Sequence, residues 1–333
     1  MKKGILLINL GTPDSPKVKD VRKYLTQFLN DPFVIDINPI ARFFLVNFII
    51  VPFRAPKSAK LYEKIWTKEG SPLLIHGKKL KELLQKALGN YFVVELGMRY
   101  QNPSIESAFK KLKDAGVDEI TVLPLYPQYA TSSTKSTIEE VKGISAKHNF
   151  PNIKIIDKFY RSENFIETII AISEKYHLSD YEHFLFSYHG LPERQIKKVY
   201  PVDCKINSEC CAQISAKNEL CYRAACYETT RQIVKRLNIP DGKYTTAFQS
   251  RLDDKWLKPY SDKVVEQKAK EGIKKMLVFS PAFVADCLET IYEIGIEYSE
   301  MFKKNGGEKL QLVESLNTHP KWIEALMKII LAK

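Results

Sequence analysis

The sequence lacks the short signatures that would assign its chemistry at once. It has no Gly-x-Gly-x-x-Gly fingerprint, no Gly-Lys-Ser/Thr phosphate loop and no Gly-x-Ser-x-Gly nucleophile elbow, which argues against the best-defined dinucleotide, nucleotide and hydrolase sites. No run of 18 apolar residues occurs, so we expect no helix that spans a membrane. The opening MKKGILLINLGTP has the pattern of a strand and not of a signal peptide.

The composition is that of a folded protein with a basic surface. Hydrophobic residues make up 44% of the 333 positions and charged residues 27%, which excludes the fibrous and disordered classes. Lysine and arginine number 51 against 39 acids, and the formal net charge of +12 favours polyanions, anionic lipid surfaces or acidic small molecules. The basic residues are spread along the chain and do not cluster with aromatics, so we expect no nucleic-acid partner.

Apolar runs bounded by turn residues alternate with helical patterns along the whole chain, which predicts an α/β protein with parallel sheets. The predicted strands are Gly4–Asn9, Tyr91–Met98, Ile120–Leu125, Ile153–Phe159, His183–Ser187, Tyr244–Phe248, Lys275–Phe279 and Leu310–Leu316. The predicted helices are Val18–Leu29, Lys78–Leu88, Ser104–Lys113, Phe165–Tyr176, Cys226–Leu237, Asp262–Glu271 and Lys321–Leu331.

A faint internal repeat divides the chain into two halves. LLINLGTP and FLFSYHGLP are both a strand followed by Gly-x-Pro, with Gly11 and Gly190 at equivalent positions. We therefore predict two topologically similar halves, 1–165 and 166–318, and a C-terminal helix, 319–333, that packs back on the body. In open α/β sheets ligands bind beyond the carboxyl ends of the strands, so both Gly-x-Pro loops are expected to line a binding crevice.

His189 directly follows an apolar strand and precedes Gly-Leu-Pro. A neutral imidazole at this position can bind a metal or accept a proton. The alternative is a histidine that is hydrogen-bonded at a strand end. The glycine and proline favour the functional interpretation, because they mark a shaped loop that presents the ring.

A row of acids follows the strand near position 279. Glu289, Glu293 and Glu297 are spaced four residues apart, which places them on one face of a helix, shortly after Asp286. A solvated helix face is the ordinary interpretation. The functional alternative is a carboxylate row that carries protons out of a buried site or metal cations into it.

Five of the six cysteines lie in one segment, Cys204-x5-Cys210-Cys211-x9-Cys221-x4-Cys226. Without an export signal, such density favours metal binding over disulfides. Thiolates at this density suit tetrahedral zinc or an iron–sulfur cluster.

An apolar run, Phe43–Phe53, lies between Arg42 and the basic residues Arg54, Lys57 and Lys60. A core helix is one interpretation. The other is an exposed amphipathic lip that contacts a membrane surface or a flat apolar ligand.

At SYHGLPER (187–194) and PAFVADCLETIYEI (281–294) the sequence resembles the ferrochelatases, which insert Fe²⁺ into protoporphyrin IX to form protohaem in the last step of haem biosynthesis. LLINLGTPDSPKVKDVRKYLTQFLNDP (6–32), LPLYPQYATSST (123–134) and WLKP (256–259) carry the resemblance along nearly the whole chain. It implies two Rossmann-like halves around a porphyrin cleft, the fold of the class II chelatases.

The resemblance also implies roles for individual residues. His189 and Glu289 match the paired metal-binding and proton-handling groups of the family. The positions that match porphyrin contacts or pocket walls are Leu10, Arg54, Tyr62, Ser71 and Trp256. At Cys287 the chain departs from the histidine of many members. The substrates implied are Fe²⁺ and a porphyrin, and both protoporphyrin and coproporphyrin fit these residues.

The cysteine segment resembles that of members with an internal [2Fe–2S] cluster, whose pattern is C-x5-C-C-x9-C. This assigns Cys204, Cys210, Cys211 and Cys221 as cluster ligands and leaves Cys226 outside the set. The resemblance further implies a cytoplasmic protein that contacts the inner face of the membrane through Phe43–Phe53.

Proteins of other classes share parts of this pattern. A cobalt or nickel chelatase of a related tetrapyrrole pathway would have the same fold and the same His and Glu chemistry. A haem- or iron–sulfur-binding sensor would bind without turnover, but it needs no carboxylate row opposite its axial ligand. A nucleic-acid binder is favoured by charge alone.

Overall fold

Two four-stranded parallel sheets, each covered by helices, form the described part of the chain. The structure is a computed structural model that describes residues 2–150, 152–200, 204–206 and 209–332. The chain divides into two units. The first comprises Met1–Tyr126, Ala130–Asp157 and Leu326–Lys333, and the second comprises Pro127–Tyr129 and Lys158–Ala325.

The sheet of the first unit has the strand order β2-β1-β3-β4. The central strand β1 contains Ile5–Ile8, four apolar residues that are almost fully buried. A strand covered on both faces is apolar without alternation, which explains why this run predicts a central strand. The strands are β1 (Lys2–Gly11), β2 (Phe92–Tyr100), β3 (Val117–Pro124) and β4 (Ile153–Ile155).

Six helices of the first unit can be assigned within the described residues. They are α1 (Val18–Leu29), α2 (Pro39–Phe44), α3 (Val51–Ile65), α4 (Pro72–Leu88), α5 (Ile105–Asp114) and α6 (Ser136–Lys147). π-Helical turns, Leu45–Ile50 and Thr131–Lys135, join α2 to α3 and precede α6. Phe109 and Leu112 of α5 pack with Ile8 and Val122 in the core beside the sheet.

The sheet of the second unit has the order β6-β5-β7-β8, and its strands are β5 (His183–His189), β6 (Tyr244–Gln249), β7 (Lys275–Phe279) and β8 (Lys309–Leu312). Its helices are α7 (Glu163–Ser173), α8 (Glu193–Val199), α9 (Tyr222–Arg236), α10 (Ser261–Lys270) and α11 (Ser299–Lys304); α12 (Pro320–Leu331) begins in this unit and ends in the first. A ten-residue π-helix, Glu289–Tyr298, precedes α11.

The two sheets have the same order of strands, so the prediction of two similar α/β halves is confirmed. The repeat extends to the glycines that follow each central strand. A Cβ atom on Gly11 would lie 2.1 Å from the Tyr100 carbonyl oxygen, and one on Gly190 would lie 2.6 Å from that of Gln249. Both loops therefore pass so close to the neighbouring strand that only glycine fits.

The boundary between the units lies at Asp157, earlier in the chain than the predicted 1–165 and 166–318 division. Residues 158–165 belong to the second unit because the rings of Phe159 and Phe165 pack against each other at 5.4 Å and Phe159 against Trp322 at 5.9 Å. The predicted segment 319–333 contains the helix α12, which begins in the second unit and ends in the first.

The apolar run 43–53 lies within a helical segment, Pro39–Ile65. Among the residues that the structure describes, this is the one helix that is long and apolar enough to cross a membrane, judged by length and composition only. Its apolar run is shorter than 18 residues because Arg42 and Arg54 interrupt the helical segment. Val51, Ala55 and other small or apolar residues along one side are buried, so this side is already covered by protein.

Candidate functional site

His189 is the last residue of β5, the central strand of the second sheet. It pairs with Gln249 at the end of β6, and its carbonyl accepts a hydrogen bond of 2.8 Å from the Tyr222 hydroxyl. The backbone is therefore fixed from two sides, while the half-buried ring lies edge-on to Phe283 at 6.4 Å. The structure places the imidazole at the carboxyl end of a buried strand, where the sequence predicted it.

Trp256 lies beside the same loop. Its Cε3 atom would be 3.3 Å from a Cβ atom on Gly190, and its backbone bridges to Pro192. The Leu257 amide donates to the Leu191 carbonyl over 2.9 Å. These contacts join the His189 loop to the WLKP segment, so a predicted porphyrin contact and the predicted catalytic histidine belong to one local structure.

Gln249 connects this loop to the acidic helix. Its amide nitrogen donates to the Glu289 carbonyl over 3.3 Å and to the Glu293 carboxylate over 3.2 Å, and its amide oxygen accepts from Ser187 over 2.7 Å. Because Gln249 also pairs with His189, the histidine and the start of the acidic helix lie at the same edge of the second sheet. Sequence reasoning missed this residue, although its place directly after an apolar strand was a usable signal.

The acids of the π-helix differ in their surroundings. Glu293 accepts hydrogen bonds from the Ser250 amide at 2.9 Å and from the Tyr298 hydroxyl at 2.9 Å. Burial, and then the Glu293 carboxylate, raise the pKa of Tyr298, so this phenol stays a donor. Glu289 is half-buried and Glu297 exposed. Of the three acids of the predicted row, only Glu297 is exposed, and Glu293 is held by hydrogen bonds as an anchor of the helix.

Glu289 contacts the buried thiol of Cys287. The Cys287 thiol donates a hydrogen bond to the Glu289 side chain, and burial followed by the charge of Glu289 raises the pKa of that thiol. Cys287 is therefore a neutral donor to the carboxylate. Within the described ranges, no three His, Cys, Asp or Glu side chains converge to hold a single metal ion.

Asp286 is fixed by the backbone and by side chains. Its carboxylate accepts from the Asn317 amide at 2.7 Å, from the Ser315 backbone amide at 3.1 Å and from the Thr290 hydroxyl at 3.2 Å. The Asn317 side-chain oxygen accepts in turn from the Asp286 amide at 2.9 Å. These bonds fix the loop that leads into Glu289.

Predicted contacts of the first unit lie at the carboxyl end of its own central strand. Leu10 is the penultimate residue of β1 and is half-buried. Ser71, just before α4, accepts a hydrogen bond of 2.8 Å from Thr12 in the Gly-Thr-Pro loop. The hydroxyl pair is buried, and it brings Ser71 close to Leu10. Thr12 was not singled out from the sequence because it is the variable position of the Gly-x-Pro pattern.

Tyr62 and Arg54 lie on α3 but in different environments. Tyr62 is buried and packs edge-on against Tyr24 and Trp66, at 6.4 and 6.2 Å. Arg54 is exposed. The structure therefore does not bring Arg54 into the buried group with Tyr62, and Arg54 can meet a ligand only at the solvent side.

A buried ionic network at the end of β2 was not predicted from the sequence. Asp31 accepts from Arg99 at 2.7 Å, from Tyr100 at 2.8 Å and from Ser136 at 2.6 Å. Burial first, and then Asp31, raise the pKa of Tyr100. This network joins the segment before α2 to the sheet and to the start of α6. It holds these elements firmly, because breaking a buried ion pair leaves a buried charge without compensation.

The thiols of the cysteine segment lie close together. The Cys210 and Cys211 sulfurs are 3.7 Å apart. The Cys211 thiol donates to Cys221, and this bond first, together with backbone amides of α9, lowers the pKa of Cys221. These contacts link Cys210, Cys211 and Cys221, three of the four residues that the resemblance assigned.

The loop is held from outside by two side chains. The Asn218 amide donates to the Cys210 carbonyl at 2.9 Å, and Arg231 donates to the Cys211 carbonyl at 3.1 Å. Cys226 is different, because it lies inside α9 and is fully buried, and burial raises the pKa of its thiol well above the usual value.

The chain is similar to known proteins over nearly its whole length. The profile of one protein family, Ferrochelatase, matches residues 2–333. A ferrochelatase of Coxiella burnetii (strain CbuK_Q154) is 48% identical over 98% of this chain and 93% of its own, and one of Legionella pneumophila (strain Lens) is 45% identical over 99% of both chains.

Solved structures with a similar fold include SirB from Bacillus subtilis with Fe³⁺. It has a TM-score of 0.54 at 13% identity, covering 99% of this chain and 96% of that one. The sirohydrochlorin chelatase SirB from Bacillus subtilis subspecies spizizenii in complex with cobalt has a TM-score of 0.50 at 14% identity, covering 99% and 94%. These similarities show a shared two-domain chelatase fold.

Proposed function

Because the chain belongs to the ferrochelatase family and is an enzyme that inserts Fe²⁺ into a porphyrin in the last step of haem biosynthesis, we propose that His189 and Glu289 carry out that insertion. The observation that carries the proposal is the position of Gln249. It pairs with His189 and hydrogen-bonds the first residue of the acidic helix, at 3.3 Å. Both groups therefore lie at the carboxyl edge of one sheet, where ligands bind in α/β folds.

Metal insertion requires the loss of two pyrrole N–H protons from a flat, stiff ring. In the proposal, the imidazole of His189 accepts one of these protons as a positioned base, or passes Fe²⁺ to the ring nitrogens. The fixed backbone of His189 and the packing of Phe283 keep the imidazole in place. Such preorganisation lowers the cost of reaching the transition state.

In the proposal, Glu289 carries out whichever of the two steps, metal transfer or proton transfer, His189 does not. As a half-buried carboxylate at the inner end of a row that reaches solvent, it is suited to hold Fe²⁺ or to pass protons outward. The Cys287 thiol donates to it, so the carboxylate keeps a fixed orientation. Glu293 is occupied by its own hydrogen bonds and anchors the helix.

Protoporphyrin IX is the proposed substrate, and five residues are proposed to contact it. Leu10 and Trp256 offer apolar surface to the macrocycle, while Tyr62 and Ser71 belong to the buried wall of the first unit. Arg54 is exposed and always charged, so it would meet a propionate at the solvent side.

We further propose that Cys204, Cys210, Cys211 and Cys221 hold a [2Fe–2S] cluster. Two thiolates on one tetrahedral metal, with metal–sulfur distances of about 2.3 Å, lie about 3.8 Å apart, and the Cys210 and Cys211 sulfurs are separated by 3.7 Å. Each iron of such a cluster needs only two protein thiolates, so pairs of this kind suffice. The bound cluster would supply a one-electron redox centre and folding energy to this loop.

The apolar segment Phe43–Phe53 is the proposed membrane contact of a cytoplasmic enzyme. Phe43, Phe44, Phe48, Ile49 and Phe53 are between 52% and 72% exposed. Arg42, Arg54, Lys57 and Lys60 flank them. An exposed apolar face with a basic border fits the surface of an anionic bilayer, into which an apolar porphyrin partitions.

The test of the catalytic proposal is the variant His189→Ala in an anaerobic assay with Fe²⁺ and protoporphyrin IX. We expect turnover to fall by about 10² to 10⁴-fold, the usual contribution of a positioned base, while the melting temperature stays that of the wild type because the ring is only half-buried. The control is His177→Ala, an exposed histidine outside the site. Turnover that survives in His189→Ala would contradict the catalytic role of His189. Assays with Co²⁺ or Ni²⁺ and sirohydrochlorin test the alternative chelatase activity.

A further inference from the structure

The peptide unit that joins His189 to Gly190 is held at both of its ends. The Gly190 amide donates to the Gln249 carbonyl over 2.8 Å, which continues the ladder between β5 and β6. The carbonyl and the amide of a trans peptide point in opposite directions. The His189 carbonyl therefore points away from β6, and it accepts a hydrogen bond of 2.8 Å from the Tyr222 hydroxyl.

The ladder with β7 does not extend to this carbonyl. In the described part of the chain, β5 pairs with β7 only as far as Phe186 and Phe279, whereas it pairs with β6 as far as His189 and Gln249. The His189 carbonyl thus faces the side of the sheet on which β7 has already ended. A backbone acceptor removed from water needs a donor, and here the side chain of Tyr222 supplies the hydrogen bond that a neighbouring strand would otherwise supply.

The Tyr222 hydroxyl is a donor in a fixed position. Tyr222 is buried and is the first residue of α9. Its burial raises the pKa of the phenol well above the usual value, so the hydroxyl keeps its proton. Two pairs of buried side chains hold α9 in place: the Tyr188 and Thr230 hydroxyls lie 3.0 Å apart, and the Gln128 amide donates to the Thr229 hydroxyl over 3.1 Å.

We propose that Tyr222 is a positioning residue for metal insertion, because its hydrogen bond to the His189 carbonyl sets the direction in which the imidazole leaves the backbone. The inference rests on the proposed role of His189. Without the Tyr222 hydroxyl, the peptide unit loses one of its two hydrogen bonds, so it can rotate and carry the imidazole with it. A displacement of about 1 Å at a reacting group can lower turnover about 10²-fold.

Tyr188 provides a matched control. It is also a buried tyrosine whose hydroxyl contacts α9, and it directly precedes His189 in the chain. Its hydroxyl contacts the Thr230 side chain and not the peptide unit that follows His189. Tyr188→Phe therefore removes a buried contact between β5 and α9 and leaves both hydrogen bonds of that peptide unit in place.

The experiment measures steady-state kinetics of Tyr222→Phe and Tyr188→Phe in the anaerobic assay with Fe²⁺ and protoporphyrin IX. Thermal melting checks that both full-length variants are folded at the assay temperature. In Tyr222→Phe we expect kcat to fall about 10- to 100-fold with the KM for porphyrin within about threefold of the wild type, because the ring is kept and only the geometry of the reacting group changes. In Tyr188→Phe we expect kcat within about threefold. A wild-type kcat in Tyr222→Phe, or equal losses in the two variants, would overturn the proposal.

A double-mutant cycle shows whether Tyr222 acts through His189. Because His189→Ala removes the imidazole, adding Tyr222→Phe to it should change the residual turnover by less than about twofold. A further tenfold loss would mean that Tyr222 acts independently, which contradicts a positioning role. Where the residual turnover equals the uncatalysed rate, the difference between Tyr222→Phe and Tyr188→Phe decides. Wild-type turnover in His189→Ala would instead contradict the proposed function of His189 itself, which is a separate outcome from an unchanged Tyr222→Phe.

Discussion

Single side chains decide how the candidate site of the second unit is arranged. Gln249 is 1% exposed. Its side-chain amide accepts a hydrogen bond from Ser187 and donates to the Glu289 carbonyl and the Glu293 carboxylate. A buried amide whose bonds are all satisfied orients its partners, and its loss would leave several of them unpaired. The position of Glu289 therefore depends on a residue that itself needs no contact with substrate.

Glu289→Gln tests the role of the carboxylate charge, since it keeps the shape of the side chain. We expect turnover to fall about a hundredfold or more, with the KM for porphyrin within threefold of the wild type, because the lost step is metal or proton transfer and not binding. Glu297→Gln, at the exposed end of the same helix, is the matched control. A large rise in KM with unchanged turnover would give Glu289 a binding role instead.

Among the secondary-structure elements, those with a clear pattern could be predicted and those with a mixed pattern could not. The helix Val18–Leu29 and the strand Lys275–Phe279 were predicted with the bounds that they have in the structure. The helix has apolar residues at helical spacing, and four of the five residues of the strand are buried. The helical segment Pro39–Ile65 was predicted only as an apolar run, since its exposed face is apolar as well.

The same principle limits the prediction of the site. His189 and Glu289 stand next to recognisable local motifs, whereas Asp31, Arg99 and Ser136 are more than 30 positions apart in the chain and meet only after the sheet forms. Thr12 and Ser71 are 59 positions apart. Contacts of this kind have no local signature, so sequence reasoning finds a catalytic group more readily than the partners that hold it.

The apolar segment Phe43–Phe53 leads to a prediction about binding to lipid. Phe48 is 63% exposed, so Phe48→Glu should leave the melting temperature unchanged. Burying a phenylalanine side chain contributes about 1.5–3 kcal/mol, and we therefore expect at least a tenfold loss of co-sedimentation with phosphatidylglycerol vesicles. Tyr91→Glu, at an exposed aromatic residue outside this segment, is the control, with 53% exposure. Equal binding of both variants would show that the segment does not contact lipid.

At the scale of the whole molecule, one buried histidine predicts how stability depends on pH. His183 begins β5, is 2% exposed and contacts the Thr245 hydroxyl at 3.0 Å. Burial is the largest cause that lowers its pKa, from 6.5 to about 4. Between about pH 6.5 and about pH 4, the unfolded chain therefore binds a proton that the folded chain does not bind. The stability due to this group is fully present above about pH 6.5.

That stability is lost as the pH falls from about 6.5 to about 4, by about 1.4 kcal/mol per pH unit. The measurement is urea unfolding at a series of pH values for the wild type and for His183→Gln, which keeps a polar side chain near Thr245. We expect the free energies of unfolding of the two proteins to converge on acidification. Parallel pH profiles would mean that another group controls acid sensitivity.

The division of the first unit has a consequence for how the chain is made. Its sheet is complete by Ile155, but the unit also includes Leu326–Lys333, which follow the entire second unit in the sequence. Domains generally fold as they leave the ribosome, the N-terminal one first. Here part of the first unit follows the second unit in the sequence, so a nascent chain held at position 325 has all residues of the second unit but still lacks part of the first.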